Sequence, residues 1–211
     1  MTTINGLVRA SGVVLCAGAA LSAGAAVGDH YVDAATVNPA MTAVGTAGVV
    51  GGLLMLLGMP AWYAVQAART GRLGAVAFVL VFLGWAGLEV ATRPLFAYVA
   101  PALYARPGNA DLAAEGALDS ISTGFLSYVG TMLIAVNLGL LLFGIAMIRG
   151  RVFPRPLSSV IAVGPLAIFF LGAVEQWTIA VLLLAIAACG LLMATGQVRP
   201  SSAEVPVPVS A

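Results

Sequence analysis

Six long apolar stretches, at about 10–28, 41–67, 73–92, 126–148, 157–174 and 177–195, dominate this chain of 211 residues. Most are ~18–25 residues long, the length an α-helix needs to cross the roughly 30 Å hydrocarbon core of a bilayer. Backbone amides in lipid must be satisfied within their own segment, so each stretch is expected to be a helix. The expected fold is therefore all-α: one polytopic bundle of six spans over residues 1–198, followed by a disordered tail at 199–211 rich in Pro, Ser and Val.

Composition excludes the main alternative. Hydrophobic residues make up 61% of the chain and charged residues 8%, against about 25% charged in a soluble domain. A water-soluble core of this length could not bury so much apolar surface. The lipid bilayer is thus the first partner. A net charge of +1 leaves no electrostatic footprint for nucleic acid. Cys16 and Cys189 each fall near the middle of a span and read as small packing residues, with no inference about redox compartment. The first stretch has Arg9 before it and small residues at Ala23-Gly24-Ala25, but is too long for the apolar part of a signal peptide; it is expected to be retained.

The basic residues are all arginine, and they segregate. Arg9, Arg69, Arg72, Arg149, Arg151, Arg155 and Arg199 lie on one side of the spans, and only Arg93 and Arg106 on the other. The positive-inside rule places both termini in the cytoplasm of a plasma-membrane protein. Acids segregate the opposite way: Asp29, Asp33, Glu89, Asp111, Glu115, Asp119 and Glu175 are outside or at outer span ends, with only Glu204 inside.

Gly24/Gly28 and Gly48/Gly52 are each four apart on a helical face, where backbones can approach closely. They are expected to pack the first two spans together, or else to form a homodimer contact. Pro60 and Pro165 lie inside spans and predict kinks. The outer region 93–127 predicts a short interfacial segment from Pro94 to Tyr104, then a turn at Pro107-Gly108-Asn109 and a loosely amphipathic helix from Asp111.

No catalytic motif is present, and no cofactor is expected. His30 with Asp29 and Asp33 could contribute to a metal site but lacks a fourth ligand, so a hydrated loop is the simpler expectation. Glu89 is the sharpest residue, with Trp85 and Arg93 four residues away on either side. An ionised group within a span faces the protein interior or pairs, and Arg93 follows in the favourable order. Pro94 opposes helical geometry at Arg93. The pair either orients its helix or serves as a proton or cation site. Asp29, Glu89 and Glu175 are expected to end the three outward-rising helices, where carboxylates are mildly unfavourable. With the stripe Asp111, Glu115 and Asp119 they give the outer face a negative potential. Asn137, midway through the fourth span, suits a polar clasp to a neighbouring helix.

The run Arg9-Ala10-Ser11-Gly12 before a small-residue span resembles the start of a loose group of bacterial six-span integral membrane proteins, common in actinobacteria and of unknown function. That resemblance implies the six-span fold and no site residues. The expected function is non-enzymatic: interaction at the acidic outer face with a membrane or envelope protein, or with a second copy. The alternative is a small-solute or cation-coupled transporter using Glu89, and perhaps Glu175.

Overall fold

In the computed structural model six long α-helices follow one another among the described residues, and each is a stretch the sequence marks as apolar. The structure describes residues 2–32, 39–99, 102–103, 106, 108, 123–170 and 175–198. Helix α1 spans Thr2–Tyr31, α2 Pro39–Ala64, α3 Ala67–Trp85, α4 Thr123–Gly150, α5 Arg155–Phe170 and α6 Glu175–Ala194. Beyond Trp85, α3 continues in π-helical geometry over Ala86–Thr92 and Leu95–Val99. Among the described residues five helical segments are long and apolar enough to cross a membrane, and the described part of α5 is shorter. The expected span to residue 174 runs past the described end of α5, since 171–174 lie outside the described residues. The tail at 199–211 and the acidic stripe Asp111, Glu115 and Asp119 also lie outside them.

Each helix packs against its sequence neighbours, and α6 returns to α1, closing an up-and-down ring. One end of the ring carries Asp29, Glu89 and Glu175; the other carries Arg9, Arg69, Arg72, Arg149, Arg151 and Arg155. The core fills the half toward the arginine end. Leu15, Met55, Met59, Trp62, Phe143, Met147 and Ile186 are all at most 1% exposed. Trp62 of α2 meets Phe143 of α4 edge-on, with ring centroids 4.7 Å apart, a favoured aromatic arrangement. Outside the ring the chemistry inverts. Leu57, Leu7, Ile134 and Phe170 are 62–83% exposed, an apolar exterior suited to lipid and not to water.

Local sequence explains several boundaries. Helix α6 ends at a glycine in left-handed geometry, Gly196 with φ +74°. The Gly196 amide donates to the Met193 carbonyl at 3.1 Å and the Gln197 amide to that of Leu192 at 3.0 Å. This paired C-terminal cap satisfies carbonyls the helix leaves open. The start of α3 bends at Gly71, whose φ of 57° and ψ of −148° interrupt helical geometry, a backbone region reserved for glycine. Pro60 and Pro165 lie inside helices α2 and α5, as the sequence places them.

Helix α1 begins at Thr2, before its expected start near residue 10, but the departure that shapes the site is at Pro94. The sequence ends the third span at residue 92 and predicts an interfacial segment after it, yet the helix runs to Val99. Arg93 keeps right-handed helical angles, φ −56° and ψ −41°. The Arg93 amide bonds to the Leu88 carbonyl, five residues back. The wider π turn shifts the carbonyl ladder where a proline ring would otherwise strike it. Thr92 Oγ1 donates to the Gly87 carbonyl at 2.8 Å, and Tyr128 Oη of α4 to the same oxygen at 3.3 Å. Side chains thus help satisfy the altered backbone. Tyr98 Oη donates to Thr46 Oγ1 at 2.8 Å, fastening the last turn to α2.

Candidate functional site: an ion-pair cleft at the acidic end

Glu89 and Arg93 do pair, but within a larger cluster. Arg93 Nη1 donates to Glu89 Oε2 at 3.3 Å, and Arg93 Nη2 donates to Asp29 Oδ2 at 2.7 Å. The guanidinium fork therefore spans two carboxylates from two helices, α1 and the π-helical extension of α3. Side-chain exposures are 19% for Arg93, 19% for Glu89 and 48% for Asp29. Two carboxylates share one arginine. Counted as ionised, the cluster carries one negative charge in excess.

The glycines of α2 make room for it. A Cβ at Gly48 would strike the Arg93 guanidinium, and one at Gly52 would lie 2.7 Å from the Glu89 Cβ. Gly48 and Gly52 therefore seat the ion pair of α3, in place of the expected packing between the first two spans. Gly51, one residue earlier than Gly52, faces Gly18 and Ser22 of α1. Gly28 meets Val44 of α2, while a Cβ at Gly24 would meet nothing within 4 Å.

Beside the ion pairs is a cleft of about 440 Å³, lined from α1, α2, the extension of α3, α4 and α6. Its walls include Met41, Val44, Leu88, Phe96, Leu133 and Ile179, and among the described residues its charged lining is Asp29, Glu89 and Arg93. The arrangement is an apolar chamber with one polar patch. Such a chamber can hold an apolar body while fixing one charged end. The closely packed core begins beneath it.

The remaining sequence candidates lie elsewhere. Glu175 is the first residue of α6, exposed, and has no ion pair among the described residues. It sits where the helix dipole favours a carboxylate, contrary to the expected helix end. Glu89 does not end its helix either, because the π-helical extension carries on past it. Asn137 Nδ2 donates to the Leu133 carbonyl of its own helix at 2.8 Å, so it is not a clasp between helices. His30 packs edge-on against Tyr31 and Trp177, at centroid distances of 5.1 and 6.4 Å. Its neighbour Asp29 is engaged by Arg93, and Asp33 lies outside the described residues. Among the described residues no three metal-ligating side chains gather. Cys16 and Cys189 are both free thiols.

Sequence reading missed Asp29 as a partner of Arg93. The available signal was that Asp29 and Arg93 both fall at the acidic ends of their apolar stretches, so an up-and-down bundle sets them at similar depth. No family model matches the chain, and neither curated proteins nor solved structures give a match.

Proposed function

We propose that this chain is a multi-pass plasma-membrane protein with six spans and both termini cytoplasmic, working by binding a cationic group at its outer, acidic end and not by catalysis. The single observation that carries this reading is the convergence of Asp29 and Glu89 on one arginine inside a cleft. Glu89 is largely buried while Asp29 is half exposed, and a cation entering the cleft offsets the cost of holding a second carboxylate beside one guanidinium. In the sequence, Asp111, Glu115 and Asp119, four apart between the third and fourth spans, add carboxylates for a membrane or envelope partner, or a second copy, to recognise.

A cation-coupled transporter using Glu89 is the second reading. Its support is the position of Glu89 in a π-helical stretch facing the cleft, since such interruptions concentrate at functional sites. The tightly packed half beneath the cleft favours binding over passage. Native mass spectrometry of the gently purified full chain tests both the wild type and Glu89→Gln. The wild type is expected to retain a cationic small molecule or a basic partner that the variant loses. An identical set of bound species in the two proteins would overturn the reading.

Orientation has its own test. In a chain whose Cys16 and Cys189 are replaced by alanine, an impermeant maleimide added to intact cells is expected to label a cysteine placed at Asn109. One placed at Val152 should stay unlabelled until the cells are opened. The reverse pattern would invert the topology and put the ion-pair cleft inside.

A further inference from the structure

We infer that the cleft at the acidic end is a binding site for a small organic ammonium ion with an apolar body. This deepens the proposed function and rests on its reading of that cleft as a cation site. Three features on the same walls specify the class.

The first is the way Arg93 is used. Its two terminal nitrogens hold one oxygen each of Asp29 and Glu89. The second oxygens, Asp29 Oδ1 and Glu89 Oε1, take no hydrogen bond from the described residues. The guanidinium orients the two carboxylates and leaves both with acceptor capacity, which an ammonium group with several N–H donors can use at once. The second is charge. One arginine against two carboxylates leaves room for one more positive charge. An anionic ligand would find N–H groups of Arg93 that the carboxylates leave free, Nε among them, but would meet two carboxylates against one guanidinium.

The third is the wall. Val44, Leu88, Phe96, Leu133 and Ile179 surround the charged patch in a space of about 440 Å³. A bare inorganic cation would satisfy the carboxylates and leave these apolar walls against water. A neutral apolar solute would fill the space and offer the carboxylates nothing. An ammonium ion on an apolar body meets both demands, and the Phe96 ring adds a face on which a cation or an apolar group can rest. Gly48 and Gly52 keep the Arg93 and Glu89 side chains seated against α2.

The test uses the full chain in detergent and in lipid nanodiscs. Phenethylamine is titrated beside its neutral counterpart 2-phenylethanol, the anion 3-phenylpropionate and ammonium chloride alone, with binding read by calorimetry and by the shift in melting temperature. Phenethylamine is expected to bind at least about tenfold more tightly than any of the other three, the least that one lost charge-assisted contact should cost. Glu89→Gln should weaken it by a similar factor. Should Glu89→Gln fail to fold, Leu133→Trp provides a second route: it fills the cleft without changing charge and is expected to abolish phenethylamine binding while leaving the ion pairs.

Equal binding of 2-phenylethanol would mean apolar partition and overturn the inference. Binding of ammonium chloride as tight as that of phenethylamine would make this an inorganic cation site, overturning the ligand class while sparing the proposed function. Preference for 3-phenylpropionate would mean that Arg93 recognises the ligand and would overturn both. Binding of none of the four would overturn the inference alone, and the species retained in native mass spectrometry would then judge the proposed function separately.

Discussion

Replacing Arg93 by alanine is expected to destabilise the protein by about 3 kcal/mol, the low end for breaking a buried ion pair, and to lower its melting temperature by roughly 6–12 °C. Two carboxylates depend on this one guanidinium. Removing it strands Glu89, whose side chain is 19% exposed, more severely than Asp29, which is 48% exposed and can turn to water. It also opens a void against Gly48, where the guanidinium now rests. Lysine should restore only part of the loss, because a single ammonium cannot reproduce a fork whose two arms serve two carboxylates. Combining Arg93→Met with Glu89→Leu should recover more than half of it. The residue left unpaired is then Asp29, the one that solvent can reach. Thermal unfolding of the four proteins in one detergent decides the matter. A melting temperature unchanged in Arg93→Ala would show that the cluster is solvated and contributes nothing to the fold.

The Arg93 cluster also shows where sequence reading succeeds and where it stops. The Glu89–Arg93 pair was legible because its determinants are local: four residues of separation, and the cost of placing charge in an apolar run. Asp29 lies 64 residues from Arg93, and its role depends on which helices become neighbours. Apolar periodicity is a weak guide to that in lipid, where the outer face of a span is as hydrophobic as its inner face. The same blindness affected the glycines. Four-residue spacing marks a face suited to close approach, but not the helix that approaches. Gly48 and Gly52 seat side chains of α3, whereas Gly24 has open space beside it.

Pro94 misled for a different reason. The rules that make proline a helix terminator assume the α-helical ladder, in which the ring collides with the carbonyl four residues back. A π-helical ladder changes that geometry, and here two hydroxyls, from Thr92 and Tyr128, reach the Gly87 carbonyl. The helix consequently reaches Val99, placing Phe96 and Ala97 on the wall of the cleft. Without that continuation the cleft would lose part of its wall. The other apolar helices emerged within about four residues of their expected limits, apart from the earlier start of α1 at Thr2, because span length and composition are properties of the segment alone.

The glycine contacts yield the second large effect, and a contrast within a single helix. Gly12 of α1 and Gly190 of α6 lie against each other. A Cβ at Gly12 would sit 2.6 Å from the Ala194 backbone nitrogen, and one at Gly190 would sit 2.6 Å from that of Cys16. The obstacles are main chain, so no rotamer change can make room and the helices must separate. Alanine at either position is expected to cost about 2–3 kcal/mol, toward the upper end for overpacking a close contact. The seam between α1 and α6 closes the ring, so the penalty falls on the whole bundle. Alanine at Gly24, exposed and with nothing within 4 Å, meets no such obstacle. It should be neutral, or stabilising by up to about 1 kcal/mol through helix propensity. Leucine widens the contrast: Gly12→Leu should not yield folded protein, and Gly24→Leu should behave like the wild type. If Gly24→Leu instead lowers the melting temperature and shifts the protein to a smaller species in light scattering, then Gly24 packs between two copies of the chain. The α1 face that is open in one copy would in that case be the dimer seam.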